Sequence, residues 1–322
     1  MQTLPIQQYF PHASQLVYGC MAIGGQWDLS PLSNEEQLHA ELAVNTALEA
    51  GITVFDHADI YKMGKAEQAF SKVLANTPSL RDDMVIQSKC GIRFEDDNGP
   101  KRYDLSKTWI LASVENSLKR LNTDYLDILL LHRPDPLMDA SEIALAIDIL
   151  HTSGKVKHFG VSNMNAHQLN HLQHYSDRPL IINQIEMSLT NLQFIEEGVL
   201  VGNPEGASVN FTPGTLEYAK QHGIQMQSWG SASQGKFSGA PSSLSTKQQK
   251  TKHFVSVLSE KYGVSADAVV LAWLMRFNPQ LQPIVGSANP SRIKGAAQST
   301  TIQMSREDWY SLYVLAREAE LP

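Results

Sequence analysis

Short apolar segments alternate with segments of helical periodicity along nearly the whole chain, and this alternation constrains the fold more than any other feature. Apolar runs such as 53–55, 84–88 and 126–131 predict buried strands, and a helical pattern follows each of them. Strands separated by helices in this way pair in parallel, and their number here approaches eight. The sequence therefore predicts an α/β protein built as a single (β/α)8 TIM barrel across residues 1–322.

Two features extend this simple repeat. A capping pattern at Ser305 predicts an extra C-terminal helix packed outside the barrel, and further helix caps are expected at Ser33, Asp139 and Asn165. Residues 186–212 form a long segment rich in Gly, Asn and Ser, and loops of this length in compact domains are usually functional or mobile. We interpret the segment as a long active-face loop, which is either a flap beside the site or a surface excursion.

Polar residues lie where successive predicted strands end. Asp56 and Tyr61 follow one strand, Lys89 ends the next, and His132 ends the one after it. Because residues just beyond strand C-termini line the active face of such a barrel, we expect these side chains to converge. An ammonium favours a neighbouring phenolate, so Lys89 is expected to lower the pKa of Tyr61 from its ordinary ~10. Taken singly, each residue also fits a structural role in an ion pair or near the core.

Composition narrows the choice of partners. The chain of 322 residues has a net charge of -7 and no basic run, so nucleic acid is not an expected partner. The N-terminal residues lack a signal-peptide pattern, and no apolar stretch approaches the ~20 residues of a membrane span, so a cytoplasmic protein without a membrane partner is expected. Cys20 and Cys90 are expected as reduced, partly buried thiols. No metal is expected, since no ligand cluster surrounds His57.

Six motifs follow one another along the chain. They are Asp56–Tyr61 (DHADIY), Ser88–Gly91 (SKCG), Leu129–Asp135 (LLLHRPD), Gly160–Asn163 (GVSN), Asn183–Gln184 (NQ) and Ile284–Ser287 (IVGS). Together they resemble the motifs of the aldo-keto reductases, and most of all those of bacterial YdhF-like oxidoreductases, across the chain from about Gly19 to Arg292. The resemblance implies NADPH-dependent reduction of aldehydes and ketones to alcohols.

The resemblance also implies roles for individual residues. Tyr61 would be the general acid, tuned by Lys89, while Asp56 would hold Lys89 and His132 would orient the carbonyl group. Trp229 would stack on the nicotinamide. The cofactor would be bound by Gly19, Cys20, Met21, Asp56, Ser162, Asn163, Gln184, Trp229, Gly230, Ser231, Gly286, Ser287 and Arg292. The substrate pocket would be shaped by Trp27, Ile92 and Phe94.

One end of the implied cofactor site departs from the family pattern. Many members carry a lysine where Gly286 stands, so a 2′-phosphate would depend on Ser287 and Arg292, and discrimination against NADH would be weaker. NADP(H) is the expected cofactor, with NAD(H) as the alternative.

The other expected partner is a small carbonyl compound, and the protein is expected as a monomer or weak oligomer. One other function stays open, since some family members act as redox sensors or auxiliary subunits with little turnover. A carbohydrate-cleaving barrel would need paired acids at strand ends, and Asp56 is the one acid identified there, with Lys89 expected to neutralise it.

Overall fold

The protein folds into a closed barrel of eight parallel strands surrounded by helices. A computed structural model describes residues 3–322. The strands of this part of the chain are β1 (Val17–Gly19), β2 (Val54–Asp56), β3 (Val85–Cys90), β4 (Ile92–Arg93), β5 (Arg102–Tyr103), β6 (Leu126–Leu131), β7 (Val156–Ser162), β8 (Leu180–Glu186), β9 (Gln225–Trp229) and β10 (Gln282–Val285). The barrel order is β1-β10-β9-β8-β7-β6-β3-β2, and β1 closes it by pairing with both β2 and β10. The predicted (β/α)8 barrel is confirmed.

Helices connect the barrel strands and cover their outer faces. They are α1 (Asn34–Glu49), α2 (Lys65–Asn76), α3 (Leu80–Asp83), α4 (Lys107–Leu121), α5 (Ala140–Thr152), α6 (Ala166–Tyr175), α7 (Gln193–Val199), α8 (Thr215–Gln221), α9 (Thr246–Tyr262), α10 (Ala266–Phe277), α11 (Pro290–Ala297) and α12 (Arg306–Arg317). The predicted caps are confirmed, because Ser33, Asp139, Asn165 and Ser305 each accept a hydrogen bond from a first-turn backbone N–H. Within residues 3–322, every helix falls short of the length and apolar character that a membrane span requires.

Residues 186–212 are not a continuous loop, so this part of the prediction was wrong. The segment contains α7 and a 3-10 turn at Pro204–Ser208. The helix forms because its apolar side is buried: the ring of Phe194 packs edge-on against Phe277, with 5.1 Å between ring centroids. The prediction also missed the antiparallel pair of β4 and β5, which rises from the end of β3.

The barrel interior has an apolar end and a polar end. Strand-start residues such as Val17, Val54 and Val85 form the apolar end. Above them lie four buried glutamines that hydrogen-bond to one another, which we call the glutamine column: Gln87, Gln184, Gln227 and Gln282. The column brings amide groups up to the strand ends, where the candidate site lies.

Candidate active site

A cleft of about 780 Å³ opens at the C-terminal ends of the barrel strands. Most of the predicted site residues line it, and they come from separate strand ends all around the barrel. These lining residues are Gly19, Met21, Trp27, Asp56, Tyr61, His132, Ser162, Asn163, Gln184, Trp229, Gly230, Ser231, Gly286, Ser287 and Arg292. Lys89 is buried beneath the cleft floor and contacts Tyr61. The structure therefore brings the predicted catalytic residues together.

Lys89 connects the predicted catalytic residues. Its Nζ donates a hydrogen bond to the Tyr61 hydroxyl at 2.9 Å and forms a salt bridge with Asp56 Oδ2 at 2.8 Å. A third bond, 2.9 Å long, goes to the carbonyl oxygen of His57. Asp56 and Lys89 are almost fully buried. Burial acts to lower the pKa of Lys89, but the charges of Asp56 and Tyr61 outweigh burial and raise it overall. Lys89 therefore remains an ammonium group.

Tyr61 is a phenol that keeps its proton. Burial raises the pKa of Tyr61 above its ordinary value, although the charge of Lys89 acts in the opposite direction. The expected lowering of this pKa was therefore wrong, because the desolvation of a phenolate outweighs the attraction of an ammonium that already faces Asp56. At neutral pH the group at the cleft floor is an O–H donor held in place by Lys89.

His132 faces Tyr61 across the cleft floor, with 6.1 Å between the ring centroids. Burial lowers the pKa of His132 well below its ordinary value, and the charges of Lys89 and Arg133 lower it further. The imidazole is therefore neutral at pH 7. Its Nδ1 is buried and has no hydrogen-bond partner within residues 3–322. Within the same residues Nε2 also makes no hydrogen bond, and it is not enclosed, so it is the ring nitrogen that can contact a bound molecule.

Asn163 organises the wall beside Tyr61 and His132. Its Nδ2 donates to the carbonyl oxygen of His132 at 3.2 Å and to Ser162 Oγ at 2.7 Å, while its Oδ1 accepts from Trp229 Nε1 at 3.0 Å. Asn163 adopts a left-handed backbone with φ of 60°, a conformation that asparagine tolerates better than most residues. The indole of Trp229 is thereby fixed against the cleft.

The opposite end of the cleft holds Arg292 in an ion pair that the sequence analysis missed. Its Nη2 and Nε donate to the two carboxylate oxygens of Asp267 at 2.7 and 3.0 Å, and Nη2 also donates to Ser238 Oγ at 3.1 Å. Gly235 allows this approach: its φ is 74°, and a Cβ atom there would stand 3.0 Å from the guanidinium. Within residues 3–322, Nη1 of Arg292 makes no hydrogen bond and remains free.

Besides Lys89, three predicted site residues do not reach the cleft lining. Cys20 is fully buried, and its Sγ faces the carbonyl oxygen of Tyr18 in the core. Ile92 and Phe94 were expected in the substrate pocket, but the pairing of β4 with β5 carries this segment away from the lining. Cys90 is also a free, buried thiol.

Several lining residues were missed by the sequence analysis. Lys62 and Arg133 each follow directly after a predicted catalytic residue, and this adjacency was the available signal. Lys236 lies on the loop after β9, and Asp267 lies in the first turn of α10. Nothing in the local sequence around Asp267 indicates that α10 and α11 bring it to Arg292.

Comparison with known proteins places the chain among enzymes. A sequence model described as Aldo/keto reductase family matches residues 15–315. A 6-dehydroglucose reductase of Agrobacterium fabrum is 36% identical over 308 residues, covering 94% of this chain and 94% of the relative. Oxidoreductase YdhF of Escherichia coli is 35% identical over 278 residues, covering 85% of this chain and 86% of the relative.

Solved structures share the fold. An aldo/keto reductase of Klebsiella pneumoniae, determined in complex with NADP and acetate, has a TM-score of 0.73 at 21% identity and covers 94% of this chain and 92% of the solved chain. The resemblance to YdhF-like oxidoreductases is confirmed by the sequence match. The barrel, the strand-end residues and the match across residues 15–315 agree: the chain belongs to the aldo/keto reductase family.

Proposed function

We propose that this protein is an NADPH-dependent carbonyl reductase in which Tyr61 donates the proton. The observation that carries the proposal is the position of Lys89, whose Nζ bonds to the Tyr61 hydroxyl and to Asp56 at once. A protonated phenol that faces a cleft and is backed by a buried ammonium is suited to protonate an oxygen that gains negative charge. The substrate would be a small aldehyde or ketone.

Four side chains have separate roles at the carbonyl group of the substrate. Tyr61 donates its proton to the carbonyl oxygen, and Lys89 stabilises the phenolate left behind. Asp56 holds the ammonium at 2.8 Å, so that its position does not depend on the substrate. The neutral imidazole of His132 donates a hydrogen bond to the same oxygen and sets its direction. Much of the catalysis by the protein is then positioning and electrostatics.

The residues of the cleft fit a nicotinamide dinucleotide. Within residues 3–322, Gln184 Oε1 accepts no hydrogen bond and Asn163 Oδ1 accepts one, so both can accept from a carboxamide NH2 group. At the other end, Ser287 and the free Nη1 of Arg292 can bind phosphate oxygens. Bound NADPH would supply the hydride. The Klebsiella pneumoniae protein of the same fold was solved with NADP, which supports this choice.

The test compares wild-type protein with Tyr61→Phe in the NADPH-dependent reduction of a reactive aromatic aldehyde, followed by NADPH absorbance. Loss of the hydroxyl should lower turnover by ~100-fold or more, because a positioned general acid contributes that much. Tyr175→Phe removes an exposed phenol on α6 and should react like wild type.

NADPH binding, measured by quenching of tryptophan fluorescence, should survive in Tyr61→Phe. Equal rates in the wild type and Tyr61→Phe would remove Tyr61 from the reaction. Binding without turnover in the wild type would instead favour a nucleotide sensor or auxiliary subunit.

A further inference from the structure

Two cationic side chains stand directly beside the predicted catalytic pair. Lys62 follows Tyr61 and Arg133 follows His132 in the sequence, and both line the cleft. Since Tyr61 and His132 face each other across the cleft floor, their neighbours bring positive charge to the place where the carbonyl group would bind.

Among the described residues, neither cation has an acidic partner. Within residues 3–322, the side chains of Lys62 and Arg133 form no salt bridge and no hydrogen bond. Each lies over an indole ring instead: Lys62 Nζ is 5.6 Å from the ring centroid of Trp27, and Arg133 Cζ is 5.4 Å from that of Trp229. An aromatic face attracts a cation but leaves its charge uncompensated.

The carboxylates of the cleft do not neutralise this pair. Two of them, Asp56 and Asp267, belong to the ion pairs described above. The third, Glu186, lies next to Gly230, and Lys236 adds a positive charge that balances it. The excess charge of the cleft is therefore positive, although the whole chain has a net charge of -7. A positive cleft on an acidic protein concentrates anions at that place.

The dinucleotide's phosphates do not account for Lys62 and Arg133. Arg292, which marks the phosphate end, follows β10, and β6, which leads to Arg133, lies directly opposite β10 in the barrel. Lys236 is closer than Arg133 to that phosphate end, because it lies on the loop after β9 and β9 is next to β10. Arg133 is therefore placed on the substrate side. Lys62 belongs to the same side through its neighbour Tyr61, whose ring faces His132.

The backbone of Lys62 is itself unusual. Lys62 and Met63 both adopt left-handed conformations, with φ of 52° and 59°. Residues other than glycine rarely do so, and such strain clusters at functional sites. Burial lowers the pKa of Lys62, and the charge of Lys65 adds to this effect. An anion bound beside Lys62 would offset both effects and stabilise the charged form of Lys62.

We propose that the carbonyl substrate carries a carboxylate, which Lys62 and Arg133 bind while its carbonyl group faces Tyr61 and His132. The guanidinium of Arg133 offers two parallel N–H donors to a carboxylate, and Lys62 adds a third charge-assisted contact. The substrate class is then an oxo acid or an aldehyde acid. This inference rests on the carbonyl reductase activity proposed above.

The test uses two aldehydes that differ in one charge, 4-carboxybenzaldehyde and its methyl ester. Wild-type protein should have a kcat/KM at least ~10-fold higher for the acid than for the ester, because charge-assisted hydrogen bonds form only with the carboxylate. In Arg133→Gln and in Lys62→Gln this acid-to-ester ratio should fall ~10-fold, mainly through KM. The ratio cancels any loss of turnover common to both aldehydes.

Two further variants sharpen the test. Lys62→Gly accepts the left-handed backbone without strain, so it should fold well and still lose preference for the acid. Lys220→Gln removes an exposed lysine of α8, outside the cleft, and should keep the wild-type ratio.

A ratio near one in the wild type, or a ratio unchanged in the cleft variants, would overturn the proposal. Failure to reduce either aldehyde would count against the reductase activity instead. In that case, binding of 4-carboxybenzyl alcohol and its methyl ester, followed by tryptophan fluorescence, decides the inference. Preference for the acid that weakens in Arg133→Gln supports it, and equal binding overturns it.

Discussion

Among the described residues, the guanidinium of Arg292 has one side occupied by Asp267, and Nη1 remains free. Asp267 occupies the face formed by Nε and Nη2, with bonds of 3.0 and 2.7 Å. A 2′-phosphate would therefore meet Nη1 alone, at an arginine whose charge is already compensated. Because Gly286 adds no side chain of its own, this pair should limit the preference for NADPH over NADH.

Replacing Asp267 should raise that preference. In Asp267→Asn the guanidinium no longer faces a carboxylate, so the ratio of kcat/KM with NADPH to kcat/KM with NADH should rise ~10-fold, the usual effect of one charge-assisted hydrogen bond. Asp148→Asn removes a mostly exposed carboxylate from a surface pair and should leave the ratio unchanged. A fall in the ratio would mean that Asp267 positions Arg292 for the phosphate rather than competing with it.

The predictability of single residues depends on how far their partners lie along the chain. Tyr61, Lys89 and His132 could be predicted because strand ends of a parallel barrel converge by construction. The pairing of Asp267 with Arg292 could not, since it depends on how two helices pack. The raised pKa of Tyr61 could not be predicted from the sequence either, because the burial of its phenol is a property of the folded cleft.

At the scale of elements, α7 is joined to the C-terminal helix α12 by ion pairs. Glu196 of α7 accepts hydrogen bonds from Tyr313 at 2.5 Å and from Arg317 at 3.1 Å. Arg317 also bonds to Glu205 in the following 3-10 turn at 2.6 Å. The segment that looked like a loop is thus held against the helix predicted to pack outside the barrel.

Removing Arg317 should weaken this attachment. Arg317→Met leaves Glu196 without its cation, and the free energy of unfolding in urea should fall by about 2 kcal/mol, between the values for exposed and buried pairs. Adding Glu196→Gln should restore part of the loss, because no buried charge is then left unpaired.

Lys247→Met, which breaks an exposed pair with Glu318, serves as the control and should change little. If Arg317→Met proves as stable as the wild type, the ion pairs do not hold α7 in place.

The short strands and most helices could be predicted from periodicity, but α7 could not. Its buried apolar residues, Phe194 and Ile195, are too few to produce a helical pattern among the surrounding polar residues. The aromatic contacts of Phe194 with residues of α10 stabilise it, and these contacts are distant in sequence.

At the scale of the whole molecule, the barrel interior depends on polar pairing as well as on apolar packing. Gln227 lies at the centre of the glutamine column: its Oε1 accepts from Gln87 at 2.9 Å and from Gln184 at 3.0 Å, and its Nε2 donates to Gln282 at 3.2 Å. Gln87 and Gln184 also donate to Asp56, so the column reaches the predicted catalytic residues.

Gln227→Leu should therefore be strongly destabilising despite the similar size of the two side chains. The change leaves the buried side-chain carbonyl oxygens of Gln87 and Gln282 without a donor and removes one bond each from the amide nitrogens of Gln87 and Gln184. Each unpaired group costs ~1–3 kcal/mol, so the free energy of unfolding should fall by ~3 kcal/mol or more. Gln249→Leu, at an exposed position of α9, should stay within ~0.5 kcal/mol of wild type in the same urea titration. Equal stability of both variants would show that the column contributes little.

The barrel itself was predictable because strands and helices alternate along the chain and the number of strands approaches eight. The glutamine column was not, because a glutamine within a strand says little about its partners. Gln87 and Gln227 meet only when β3 and β9 come to opposite sides of a closed barrel.

The column also has a consequence for the history of this protein. Each amide in it donates and accepts in a fixed direction, so the orientation of one side chain determines that of the next. A single replacement leaves its neighbours without partners, whereas a joint replacement by apolar residues does not. We therefore expect these positions to change together between lineages, as one inherited unit, while the loops that select substrates diverge freely around it.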